Sequence, residues 1–126
     1  MLESSTSEAR MLEQREIVDA KFMASMADKQ PFIKKMFTVF IAQEPKRIRE
    51  IKDALASGDA KQLRLLAHAL KGGAATLGVS QVRDRCLALE NAAKVDDLPA
   101  AEAEVVELEK EIRRAYAFMF NYLAEN

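Results

Sequence analysis

The chain is poor in the residues that punctuate or cross-link a fold. Its 126 residues include one cysteine, one histidine, four glycines and three prolines. A single thiol, Cys86, closes no disulfide within the chain, so a reducing, cytoplasmic setting is the expectation. Valine and threonine are sparse beside alanine, leucine, glutamate and lysine, a balance that favours an all-α protein. No window approaches the roughly 20 consecutive apolar residues that a membrane-spanning helix needs. The opening, MLESSTSEARMLEQRE, has no apolar core behind a basic stretch and does not read as a secretory leader. Neither sign of charge dominates: 19 lysines and arginines face 20 acidic residues, a net charge of −1, so the chain gives no reason to expect nucleic acid.

What is present suffices for one domain. Apolar residues make up 49% of the chain, enough for a core, and 126 residues are too few for two compact units. Residues 1–7 are polar and read as a disordered N-terminal segment; residues 8–126 read as the domain. A short helix is expected through IVDAKFMASMA, followed by a helix that Asp28 would cap and that carries Pro31 in its first turn. Phe32, Ile33, Met36, Phe37, Phe40 and Ile41 recur at helical spacing, and Ile48, Ile51 and Leu55 extend the stripe. Pro45 falls inside that pattern and is expected to kink or divide the helix near Ala42.

The later joints are marked more sharply. Gly58 suits a left-handed helix end, and Asp59 suits an N-cap with Gln62 three residues on. Gly78 repeats the stop and Ser80 the start; Asp97 and Pro99 mark the last joint. Val82, Cys86, Leu89 and Ala93 share one side of the fourth pattern. The last helix has a seam of alternating three- and four-residue steps: Leu98, Ala101, Val105, Leu108, Ile112, Ala115, Met119, Tyr122. Short joints make neighbours antiparallel, so the expected architecture is an up-down four-helix bundle with a short extra N-terminal helix.

The histidine lies in LAHALKGGAATLG, within the third pattern. On a helical wheel Leu63, Leu66, Ala67, Leu70, Ala74 and Leu77 fall within an arc of roughly 100°. His68 lies roughly 140° from its middle and so points outward or into a groove. Arg64 and Leu65 precede it by one turn; Lys71 and Gly72 follow by one turn, Ala75 by two, and Lys61 comes two turns before. The imidazole therefore stands among three cations and beside residues with little side chain. A glycine inside a helix costs about 1 kcal/mol relative to alanine. Gly72 next to His68 would clear space for a large partner; Gly73, on another side, reads as a close helix contact.

This arrangement permits phosphoryl transfer. A neutral imidazole nitrogen is a nucleophile near neutral pH, attack on phosphorus gives a phosphohistidine, and a lysine at i+3 can meet the phosphoryl oxygens. A lone surface histidine among lysines is, on the wheel alone, more often an ordinary surface residue. A metal site is not indicated: His68 and Cys86 stand eighteen residues apart with no paired ligands. Nucleophilic hydrolysis is not indicated either, since no serine or cysteine sits with a base and an orienting acid.

The stretch AHALKGGAATLG resembles the signature of the histidine-containing phosphotransfer (HPt) domain of bacterial phosphorelays. The matching residues are His68, Leu70, Lys71, Gly72, Ala74 with Ala75, and Gly78, ten after the histidine. Downstream, Cys86 and the Leu89–Glu90 pair fall where the family often has the same types; upstream, the run from the Gly58–Asp59 turn is similar too. The likeness spans about residues 17–124 and is strongest over 55–90. It implies that His68 accepts a phosphoryl group from a receiver-domain aspartate or hybrid sensor kinase and passes it to a response regulator. It further implies that Lys71 steadies the phosphoryl oxygens, Gly72 clears the docking surface, and Glu90 orients the imidazole and fixes its tautomer. Gly73 stands where a small polar residue is common, and Thr76 where asparagine is frequent.

Under this resemblance the chain is a phosphotransfer protein and not a kinase; it shows no Gly-rich phosphate loop and no acidic cluster for magnesium. No cofactor of its own is expected, magnesium belonging to the receiver partner. Receiver domains and a sensor histidine kinase are the expected partners, with no nucleic acid and no membrane. Lys61 and Arg64 would face an acidic receiver surface; Leu65 and Ala75, with Met23 or Met26, would supply the rest of the dock. Core packing is the plainer role for the two methionines. The main competing reading is a docking module that binds receiver or kinase domains without transfer. A structural homodimer through the last seam ranks below it, and a monomer is expected.

Overall fold

In this computed structural model, residues 17–125 are described. The segment expected to be disordered, residues 1–7, lies outside them, as does the start of the domain as drawn from residue 8. Among the described residues five helices follow in order: α1 (Ala20–Ser25), α2 (Gln30–Ala56), α3 (Ala60–Thr76), α4 (Ser80–Lys94) and α5 (Leu98–Glu125). α2 to α5 pack as a closed ring of antiparallel neighbours, α2 on α3, α3 on α4, α4 on α5 and α5 back on α2. This is the all-α, up-down four-helix bundle with a short leading helix that the patterning implies. Among the described residues no helix is long and apolar enough to cross a membrane.

The core is built from one stripe per helix: Ile33, Phe37, Phe40, Ile51 and Ala54 from α2; Leu63, Ala67, Leu70 and Ala74 from α3; Val82, Cys86, Leu89, Ala92 and Ala93 from α4. α5 contributes Ala101, Val105, Leu108, Ile112, Ala115 and Met119, so its seam is filled by the bundle's own core. Leu98 and Tyr122, at the seam's two ends, are only partly buried. Phe32 departs from the expected stripe and is 52% exposed.

The three joints after α2, α3 and α4 share one construction. A left-handed residue ends each helix: Gly58 at φ 70°, Gly78 at φ 68° and Asp96 at φ 57°. The next amide then reaches back five residues, Asp59 to Ala54, Val79 to Ala74 and Asp97 to Ala92, each at 2.9 Å. Asp96 does in the third joint what glycine does in the first two, a substitution the sequence pattern did not reveal. Asp59 accepts from the Gln62 amide at 3.0 Å and Asp97 from the Ala100 amide at 3.1 Å, so both act as N-caps as expected.

Two expectations are corrected. Asp28 does not cap α2; Lys29 holds that position without a side-chain bond, although Pro31 does sit in the first turn. Pro45 does not divide α2, which runs unbroken for 27 residues. The proline lies on the exposed side, and Ile41, whose carbonyl loses its donor, is itself only partly buried. Ser80 starts α4 as its first residue, as expected, and its hydroxyl donates to Asp19 Oδ1 at 2.5 Å.

That last bond belongs to the clamp on α1. α2 and α5 span about 40 Å while α3 and α4 span about 25 Å, so the long pair outruns the short pair at one end. There Phe37 meets Phe118 and Tyr122 edge-to-face, with centroids 6.4 and 5.4 Å apart. α1 lies over the α3–α4 turn: the Asp19 amide donates to the Gly78 carbonyl at 2.8 Å, and Val18 is buried. Met23 and Met26 pack against the core from this helix. A side chain on Gly78 would put its first carbon 2.7 Å from Phe22 Cβ and Cγ. Gly78→Ala therefore combines left-handed strain, costing about 1–2 kcal/mol, with displacement of α1. Its urea midpoint should fall and the α1 amides should lose exchange protection; native protection in α1 would refute the clamp.

Candidate functional site

The site follows from the phase of α3. With Leu63, Ala67, Leu70 and Ala74 turned into the core, Lys61, Arg64, Leu65, His68, Gly72 and Ala75 are all exposed on the opposite side. The His68 side chain is 65% exposed, as the wheel requires. α3 and α4 pack closely against each other, and both bury small residues, Ala67 and Ala74 on one and Cys86 and Ala93 on the other. Their closeness brings Glu90, one turn after Cys86, to the edge of α3.

Glu90 holds two residues of α3 at once. Its Oε2 meets His68 Nδ1 at 2.5 Å, and its Oε1 accepts from Lys71 Nζ at 2.6 Å. The carboxylate side chain is only 16% exposed and that of Lys71 is 25% exposed, whereas the imidazole stands out in solvent. The hydrogen bond from Lys71 draws the Glu90 carboxyl below its ordinary 4.5; partial burial opposes this, and the bond to His68 adds to it. Glu90 is thus anionic near neutral pH. An anionic carboxylate can only accept, so in the neutral imidazole Nδ1 carries the proton and Nε2 the lone pair. With Nδ1 held at the edge of α4, Nε2 is the ring nitrogen left for chemistry.

The Lys71 ammonium pairs with the same carboxylate that holds the ring. An ammonium has three donors, and the bond to Glu90 uses one of them. At Gly72 the surface is open: a side chain there would meet nothing within 4 Å. Gly73 does not make the close helix contact expected of it. The only neighbour of an added carbon is Arg47 Nη1, 3.3 Å away, the tip of a flexible side chain and not a helix backbone. Gly73 instead helps floor an apolar groove between α2 and α3, of about 390 Å³, which Phe32, Met36, Val39, Thr76 and Leu77 also line.

The apolar surroundings are redistributed as well. Leu65 is 51% exposed, as the wheel requires, but Met23 and Met26 pack against the core. Val39 and Leu87 are exposed apolar residues that pattern reading did not single out, and Phe32, read as part of the core stripe, is exposed too. Leu87 could have been found from its place one residue outside the α4 stripe; Phe32 could not, because its spacing matches the core. Cys86 lies buried beneath Glu90, and burial together with the neighbouring carboxylate pushes its thiol up to about 12. The thiol is neutral and takes no part in the surface chemistry.

A protein-family model, described as Hpt domain, matches residues 35–117. The chain belongs to the Hpt domain family. It is a histidine phosphotransfer domain of the phosphorelay type. Solved structures show the same fold at low identity. Histidine-containing phosphotransfer protein B (HptB) from Pseudomonas aeruginosa PAO1 superposes with a TM-score of 0.83, at 24% identity over 90% of this chain and 99% of that one. The HPT domain of the Hpt sensor hybrid histidine kinase from Shewanella gives 0.75, at 20% identity over 87% and 96%. A putative histidine-containing phosphotransfer protein from rice gives 0.74, at 19% identity over 96% and 91%. No curated protein matches.

Two outcomes check the site. Gly72→Ala should keep or raise stability, by up to about 1 kcal/mol, because the added carbon meets open space. A fall in the urea midpoint would show a packing role instead. For Glu90, a folded-state value below the ordinary 4.5 means stability that is full above that value and is lost as the pH falls through the lowered one. Glu90→Gln should therefore be less stable than the native protein at pH 7, with the two converging as the pH falls through the lowered value. A gap that persists in acid would mean the carboxylate charge is not what stabilises.

Proposed function

We propose that His68 is the phosphoryl carrier of this Hpt domain, taking the group from a receiver-domain aspartyl phosphate or hybrid sensor kinase and passing it to a response regulator. The observation that carries the reading is the bond from His68 Nδ1 to Glu90 on a ring that is otherwise in solvent. It supports Nε2 as the nucleophile. The Nε2 lone pair attacks phosphorus, the P–O bond to the aspartate breaks, and the electron pair leaves on that carboxylate. Onward transfer reverses the sequence, with the P–Nε2 pair returning to the ring.

The other residues divide the remaining work. Lys71, anchored on Glu90, offers its remaining donors to the phosphoryl oxygens as charge builds there. Gly72 and Ala75 leave the approach low, so that a receiver's phosphoaspartate can come in line with Nε2. Lys61 and Arg64 face the acidic rim of such a receiver, and Leu65 gives the apolar part of the contact. Magnesium and the acidic pocket belong to the receiver in this reading. The domain holds no cofactor and phosphorylates nothing from nucleotide by itself; it acts as a cytoplasmic monomer.

Incubation with phosphorylated receiver domains tests this directly. The native protein should gain an acid-labile, base-stable phosphate, and His68→Gln should gain none. Lys71→Ala should load about tenfold more slowly. Failure to load from a broad panel of receivers, with the fold intact, would replace transfer with docking alone.

A further inference from the structure

Glu90 touches the histidine through a charged acceptor, and this bears on the phosphorylated state as well as on the free one. In the free ring, Nδ1 bears a proton and Nε2 a lone pair. When Nε2 takes a phosphoryl group, the ring gains a positive charge. Its Nδ1 proton then becomes acidic enough to leave, and a ring that has lost it is a poor leaving group, because expelling it would produce an imidazolate anion. Whether the proton stays depends on what faces Nδ1. A neutral amide can serve either form, since it offers both a donor and an acceptor. A carboxylate can serve only the protonated form.

We propose that Glu90 holds the proton on Nδ1 of phosphorylated His68, so that phosphoryl groups enter and leave the ring with no net uptake or release of protons. The inference rests on His68 being the carrier. Loading forms P–Nε2 and breaks the donor's P–O bond, while the Nδ1 proton stays bonded to Glu90. Unloading breaks P–Nε2, and its electron pair neutralises the ring. The ring remains a ready leaving group throughout the neutral range.

The neighbouring charges are arranged to keep the carboxylate in that role. Lys71 Nζ, 2.6 Å from Oε1, is the largest influence lowering the Glu90 carboxyl, so Glu90 does not itself take up the proton. Burial of the carboxylate side chain, only 16% exposed, removes competing water from the contact. From α3 the remaining charges near the ring are Arg64 one turn before it and Lys61 two turns before, both exposed. These cations oppose the retained proton, as does Lys71. On α4 the same edge carries uncharged Leu87 before Glu90 and exposed Lys94 one turn after it. Cys86 beneath is neutral. Along α2, the residues facing α3 include Lys46, Arg47 and Glu50, opposite Leu66, Ala69 and Leu70 and away from His68. Glu90 is thus the one anion against the ring among the described residues.

Glu90 is here a positioning residue, and the readout is a pH profile. The full chain is loaded with phosphoramidate, a small-molecule donor that needs no receiver, and loss of the phosphohistidine phosphorus signal is followed from pH 5 to pH 9. The rate falls as the ring proton leaves. In the native protein the half-maximal point should lie about one pH unit or more above that of Glu90→Gln. The native phosphoprotein unfolded in guanidinium gives the same comparison without relying on the variant's fold, and its half-maximal point should also lie below the native one. If the native profile coincides with that of the unfolded chain, or of a folded Glu90→Gln, Glu90 does not hold the proton and the proposal is wrong. If phosphoramidate loads His68→Gln as well as the native protein, His68 is not the carrier, and it is the underlying reading that fails.

Discussion

The close approach of α3 and α4 is the constraint on which the rest depends. Glutamate is a short side chain, and it spans from one helix to two residues on another only where the backbones are near. The two helices bury small side chains, the alanines at 67, 74 and 93 and the thiol of Cys86. A larger residue at any of them would separate the helices before it disturbed the surface. The chemistry of the exposed imidazole is therefore set by the volume of residues that never touch solvent. Core and site are two faces of one helix pair, and the phase of α3 ties them together: turning Leu63 and Leu70 inward turns His68 outward.

The bundle frame does a second job. The left-handed endings at Gly58, Gly78 and Asp96 are each closed by the same backward hydrogen bond, and they fix where each following helix starts. The α3–α4 joint is the one that sets Glu90 against His68, and it is the one that α1 clamps through Asp19 and Phe22. The short leading helix thus bears on the site without contacting it, by fixing the end of the turn from which α4 departs.

Much of this was legible in the sequence because helix phase is periodic. The seam of α5, the outward histidine, the open face at Gly72 and the glycine-ended joints all follow from spacing. What escaped was whatever depends on a partner in another helix. Lys71 pairs with Glu90 nineteen residues away, a bond that no wheel can draw. Ser80 bonds Asp19 across sixty-one positions, so the residue that starts α4 also serves as a clamp. Phe32 has core spacing yet is exposed, because the groove between α2 and α3 stays open at that end. Pro45 looked like a break, but a proline on a helix's outer side interrupts one bond without ending the helix. Asp96 adopts the left-handed conformation that pattern reading reserves for glycine.

The buried thiol has a use of its own. Cys86 is 0% exposed and its ionisation is pushed up to about 12, so no alkylating reagent meets a thiolate while the bundle is closed. It lies mid-way along α4 in the core. Modification must wait for the helices to part, which makes the rate of labelling a clock for global opening. Because the chain has a single cysteine, that clock has one hand. The same seclusion leaves phosphoryl chemistry at the surface indifferent to oxidants, even though sulfur lies only one helical turn from the carboxylate that holds the imidazole.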